Sequence, residues 1–297
     1  MRKHVEKICL SFGIKNDFPD ERRSKRPDLI VLFKRFKPEW VKGGHIASPV
    51  TVSKDKRHDP FSLYNRDVFI LVDQSGSMVR KDGDTGTQTR YEYLAEIVEG
   101  HASRILSYTT PDQEGRKICD RLSMLFFSRK RTPPQPIIID DASQVWKLFI
   151  ENQPKTKTFI CPTLEHCINS WLETSKNTNR GAFFIIYTDG QFDDEESFVN
   201  CIAAACNGIS YHQEVKFFVL GLGEDIDNEH FLALDFNVNQ TMPFNVLVFD
   251  LVNEVEDIIE LLSRQLTAKP HLAFPDWVKI RYPHFVEQVL QVEGYEV

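Results

Sequence analysis

From residue 67 onward, short runs of consecutive apolar residues alternate with longer stretches in which apolar positions recur every three or four residues. Val68-Phe69-Ile70-Leu71-Val72 and Ala182-Phe183-Phe184-Ile185-Ile186-Tyr187 are apolar at every position. Successive strand side chains point to opposite faces, so such runs belong to strands buried on both sides. The pattern predicts strands over 67–73, 120–127, 136–140, 182–188, 215–221 and 245–249. Helical periodicity predicts helices over 90–108, 142–151, 163–176, 193–207, 228–234 and 252–267. In the third of these, Leu164, Cys167, Ile168, Trp171 and Leu172 fall at i, i+3, i+4, i+7 and i+8 and form one apolar face for the sheet.

Strands alternating with helices imply an α/β fold. The expectation is a doubly wound, Rossmann-like and mainly parallel sheet of six strands with helices on both faces. The link from Ser128 to Pro134 is too short for a crossover helix, so the second and third strands should pair antiparallel. Pro133, Pro134 and Pro136 suit a sheet edge, where a missing N–H costs nothing. This α/β unit is expected to span 60–267. Residues 1–59 form a basic N-terminal extension with one strand-like run at 28–33. Residues 268–297 form a C-terminal extension whose Phe274, Trp277, Tyr282 and Phe285 are too aromatic for a solvated linker. That tail is expected to pack on the domain or on a partner.

The chemistry gathers at strand ends. The first strand stops in Asp73-Gln74-Ser75-Gly76-Ser77, which sets one carboxylate and two hydroxyls side by side. Hard divalent cations take oxygen donors of this kind. The fourth strand stops in Thr188-Asp189-Gly190, and Thr163 opens the third helix after Cys161-Pro162. In a sheet ordered 3-2-1-4-5-6 the topological switch lies between strands one and four, so Asp73 and Asp189 should meet at its crevice. Thr163 stands at a predicted N-cap, where its hydroxyl would serve either a free backbone N–H or a metal.

With these residues in this order, residues 61 to 267 resemble the von Willebrand factor A family. The resemblance implies that Asp73, Ser75, Ser77, Thr163 and Asp189 form a metal-ion-dependent adhesion site, or MIDAS. It implies that Ser75 and Ser77 bind the metal directly, that Thr163 binds directly or through water, and that Asp73 and Asp189 mainly orient bound waters. Magnesium is the expected ion, with manganese or calcium as alternatives. A Glu or Asp from a partner protein would complete the shell. Family members inside cells commonly work beside ATPases, kinases or stress-resistance machinery, which makes an adaptor or assembly subunit the expected role. The chain departs from the family in reading Cys161-Pro162 where small or glycine residues often precede the threonine.

Composition narrows the alternatives. No stretch approaches the ~20 apolar residues of a membrane span, and no apolar run of signal-peptide length follows Met1, so a cytoplasmic setting is expected. Six cysteines are then expected as free thiols, and no close Cys-x-x-Cys pair suggests zinc. Net charge is −7 overall, yet residues 1–60 carry 15 Lys and Arg against 8 Asp and Glu. Acidic residues interrupt that basic leader, which argues against nucleic-acid binding. Acidic runs follow strands one, four and five, at Asp82 and Asp84, Asp193-Asp194-Glu195-Glu196 and Glu224-Asp225-Ile226-Asp227, where they are expected at helix starts. Two other readings stay open: a metal-dependent phosphohydrolase with His166 as base, and a scaffold whose metal is purely structural. The five oxygen-bearing residues occupy the obvious catalytic candidates, so no enzyme is expected.

Overall fold

The computed structural model describes residues 62–292 and 294, apart from 112–113, 129–132 and 156. The predicted N-terminal extension, with its run at 28–33, lies outside the described residues. Strands β1 (Arg66–Asp73), β2 (Leu122–Phe127), β3 (Ile137–Ile139), β4 (Gly181–Thr188), β5 (Val215–Gly221) and β6 (Leu247–Leu251) make one sheet in the order β3-β2-β1-β4-β5-β6. All neighbours pair parallel except β2 with β3, which are antiparallel as the short link requires. Every residue of β4 and β5 is buried, which explains their unbroken apolar runs.

Helices α1 (Arg90–Ser107), α2 (Gln144–Glu151), α3 (Cys161–Thr178), α4 (Glu195–Cys206), α5 (Asn228–Thr241) and α6 (Ile258–Arg264) cover the sheet, followed by α7 (Asp276–Arg281) and α8 (Pro283–Val292). Alternate strand residues supply the two faces. Ile70, Val72, Phe183, Ile185, Phe218 and Leu220 share one cluster with α1, α2 and α6. On the opposite face the in-register phenylalanines Phe69, Phe184 and Phe217 stack across three strands, with ring centroids 4.8 and 4.9 Å apart. Trp171 of α3 meets Phe184 edge-on at 6.2 Å, as its place on the predicted apolar face requires. Fully burying one such aromatic stabilises the fold by about 1.5–3 kcal/mol.

Each sheet edge is closed in its own way. β3 is three residues long, too short to template another strand. β6 is sealed by polar side chains of α5: Asn239 Oδ1 accepts from Val246 N and Leu247 N, and Asp235 Oδ2 accepts from Phe249 N at 2.9 Å. The tail packs on this side of the domain. Trp277 is buried, donates its Nε1–H to Asp250 Oδ1 at 2.7 Å and meets Phe249 edge-on, while Phe285 does the same to Phe236. Among the described residues, no helix is long and apolar enough to cross a membrane, and the five described cysteines are free.

Candidate metal centre

β1 and β4 are neighbours that run parallel, so their C-terminal ends deliver Asp73 and Asp189 to the same end of the sheet, at the point where the strand order reverses. Beyond Asp73 the chain turns into a short 3-10 segment, Gly76–Val79, which folds Ser75 and Ser77 back toward Asp189. Ser77 Oγ donates to Asp189 Oδ1 at 2.8 Å and lies 2.9 Å from Ser75 Oγ. With the Ser77 proton committed to Asp189, Ser75 is the donor of that second bond. Asp73 takes a supporting position. Its Oδ1 accepts from Ser75 N at 2.7 Å and its Oδ2 from the Thr188 hydroxyl at 2.8 Å.

Four of the five sequence-predicted residues thus touch in one connected network. Thr163 is buried beside it, lining a cavity together with Gln74, and makes no hydrogen bond to the other four. The expected N-cap position of Thr163 is corrected. Ile160 is the N-cap, and Thr163 is the third residue of α3, with its N–H bonded to Ile160 O. The cap comes from another element: Asp194 accepts from Ile160 N at 3.0 Å and from Cys161 N at 2.9 Å. Pro162 is tolerated in this first turn because its missing N–H would have found no partner inside the helix. With Asp194 serving the helix end, the Thr163 hydroxyl is released from capping.

Asp193 joins the same clamp, its N–H donating to Thr158 O and its Oδ2 accepting from Thr158 N. The loop that carries Thr163 is therefore tied to the loop that follows Asp189. Asp227 fits the expected helix-start role, capping α5 at His230 N. Of the other acidic residues, Asp82 and Asp225 answer to a side chain that sequence reasoning did not single out, Arg90 in the first turn of α1. Its guanidinium donates to Asp189 Oδ2 at 2.9 Å, to both Asp82 oxygens at 2.5 and 2.8 Å, and to Asp225 Oδ2 at 2.9 Å. Arg80 also pairs with Asp225. Gly223, at φ +86°, leaves room for this cluster, because a Cβ there would lie 2.5 Å from Arg90 Nε and Asp82 Oδ2.

The electrostatics follow from burial. Removal from water, with the nearby Asp189 charge, pushes the Asp73 carboxyl up to about 7 against the pull of its bonds from Thr188 and Ser75. Burial disfavours the Arg90 charge, but its bonds to Asp82, Asp189 and Asp225 outweigh that, and its pKa is raised. A carboxyl so perturbed marks a place short of positive charge. Arg90 meets that need on one side of Asp189, and among the described residues no side-chain cation is bonded on the hydroxyl side. Among the described residues, no group of three or more His, Cys, Asp or Glu could hold a metal. The donor set is instead two neutral hydroxyls and a third nearby, backed by two carboxylates, which fits a hard cation that keeps bound water. His166 lies one turn beyond Thr163, half-buried.

These features define a doubly wound α/β domain with a hydroxyl and carboxylate cluster at its topological switch point. The sheet order β3-β2-β1-β4-β5-β6 is the doubly wound one that the resemblance to the von Willebrand factor A family implies. Among solved structures, the chain is similar to the SpRpn10 VWA domain, at 14% identity and a TM-score of 0.42 over 67% of this chain and 94% of that one. It is similar to the manganese-loaded TRAP protein of Plasmodium vivax, at 18% identity and 0.43 over 65% and 71%. It is also similar to proximal thread matrix protein 1 of the mussel byssus, which has a zinc-occupied MIDAS motif, at 14% and 0.39 over 68% and 46%. No family model and no curated protein matches the sequence.

Proposed function

We propose that Ser75, Ser77 and Thr163, backed by Asp73 and Asp189, hold a magnesium ion, and that through it the domain captures a Glu or Asp side chain of a partner protein. The observation that carries this reading is the Ser75–Ser77–Asp189 chain of hydroxyl and carboxylate oxygens at the sheet's switch point. When bound, the cation supplies a strongly Lewis-acidic position for an outside carboxylate. The protein's own residues do the rest. Ser75 and Ser77 offer uncharged oxygens, which leave most of the ion's charge for the partner. Asp73 holds the turn through its bond from Ser75 N. Arg90 and Ser77 fix both Asp189 oxygens from opposite sides.

The domain would act as an adaptor or assembly subunit in the cytoplasm rather than as an enzyme, with an ATPase, kinase or stress-resistance component as the class of partner. Titration calorimetry with magnesium, on the wild type and on Ser75→Ala and Asp189→Ala, tests the site. We expect saturable binding in the wild type and none in either variant, with both variants folded because the site is on the rim. Retention of full magnesium affinity in both would overturn the proposal. Capture of a partner that survives chelation would leave the metal a structural role only.

A further inference from the structure

Beside the candidate metal centre, beyond the end of β2 and against the start of β3, lies a cavity of about 340 Å³ whose lining includes Gln74, Phe126, Ser128, Ile137, Lys155 and Thr163. This is within the size range of ligand pockets, about 300–1,000 Å³. The cavity shares Thr163 with the metal centre, and Gln74 stands between Asp73 and Ser75 in the chain. The two sites therefore adjoin.

Gln74 is 3% exposed, and among the described residues its side-chain Nε2 has no hydrogen-bond partner. A buried amide donor left unmade is unfavourable, so a ligand acceptor placed on it would relieve that cost. The main chain fixes this residue in place: Gln74 N donates to Phe127 O at 3.0 Å and Gln74 O accepts from Lys155 N at 2.6 Å. The orphaned donor thus belongs to a rigidly held residue in the cavity wall. Lys155 is exposed and adds positive charge at the rim, while Phe126 and Ile137 make part of the wall apolar. One neutral donor, one ammonium and an apolar wall suit a peptide. They do not suit a phosphate, which is commonly gripped by an arginine fork or a fan of backbone N–H groups.

We propose that the cavity is a second subsite for the acidic segment that the metal centre captures. The residue bound at the centre would place a neighbouring main-chain carbonyl on Gln74 Nε2, and a second carboxylate, one residue along, would pair with Lys155. The partner motif is then two consecutive acidic residues rather than a single acid. This rests on the acid-binding reading above.

The test is calorimetry on the full chain in saturating magnesium with three probes: acetate, N-acetyl-Glu-Ala-amide and N-acetyl-Glu-Glu-amide. Both peptides should bind at least tenfold more tightly than acetate, and the Glu-Glu peptide more tightly than Glu-Ala. Gln74→Met, which keeps the shape and removes the donor, should shrink the peptide-to-acetate ratio by about three- to tenfold, the worth of one hydrogen bond. Lys155→Gln, on an exposed position that leaves the fold intact, should abolish the preference for Glu-Glu over Glu-Ala. If acetate and the peptides bind equally and only with magnesium, the cavity holds water and the subsite is overturned alone. If no probe shows magnesium dependence, the metal reading fails and takes the subsite with it.

Discussion

Arg90→Met removes the one cation that joins Asp82, Asp189 and Asp225. The Arg90 side chain is 1% exposed, as is that of Asp189, with Asp82 at 7% and Asp225 at 49%. The Asp225 contact is open to water, where such a pair contributes about 0–1 kcal/mol. The other two are buried, and breaking a buried pair from one side costs about 3–5 kcal/mol because the remaining charge is left uncompensated. Asp189 keeps its bond from Ser77 and the Asp82 carboxylate its bond from Glu224 N, so the low end applies, about 3 kcal/mol. At about 2–4 °C per kcal/mol for a domain of this size, Tm should fall by roughly 6–12 °C. Thermal denaturation followed by circular dichroism reads this directly. Because the uncompensated Asp189 borders the proposed metal position, magnesium should raise the variant's Tm more than the wild type's. A fall of less than about 2 °C would refute the assignment of Arg90 as the charge that balances this buried carboxylate.

Two further outcomes are expected. Asp194→Ala should cost about 1–2 kcal/mol through the lost cap on α3 and should weaken magnesium binding, since Thr163 lies two residues beyond the clamp; unchanged affinity by calorimetry would show that the threonine is positioned without it. Lys216 is buried, donates to Asn245 O at 2.5 Å and has its pKa pushed down to about 7 by burial, against the Asp235 charge. The unfolded chain, with an ordinary lysine, holds more protons between pH 7 and about 10, so this group makes stability rise with pH over that window by up to about 1.4 kcal/mol per unit. Urea denaturation at stepped pH should show that slope in the wild type and a flatter one in Lys216→Met; equal slopes would contradict the linkage.

The apolar runs made the central sheet legible, because strands buried on both faces leave no other pattern. The short proline-rich link likewise revealed the antiparallel β3. Misplacements occurred where one element is completed by another. β6 was expected at 245–249 and lies at 247–251, since Val246 and Leu247 are held by Asn239, a residue of α5. The same helix runs to Thr241 rather than 234, because Asp235 and Asn239, which look like surface residues, point at the sheet edge. Asp73, Ser75, Ser77 and Asp189 were legible from their strand ends. Arg90 was not, because a buried arginine in a first helical turn reads like a solvated one. Two signals were present in the acidic residues at 82 and 225, which needed a cation, and in Gly223. The cap on α3 was invisible for the same reason, as Asp194 is 33 residues from Cys161 in the chain.

The central claim is that oxygen atoms from three separate segments share one divalent ion. Anomalous diffraction from crystals soaked in manganese tests it most directly. The account predicts a single strong peak in contact with the Ser75 and Ser77 hydroxyls, lost in crystals of Ser75→Ala. A peak elsewhere, or none at this cluster in a crystal whose packing leaves the switch point open, would contradict it.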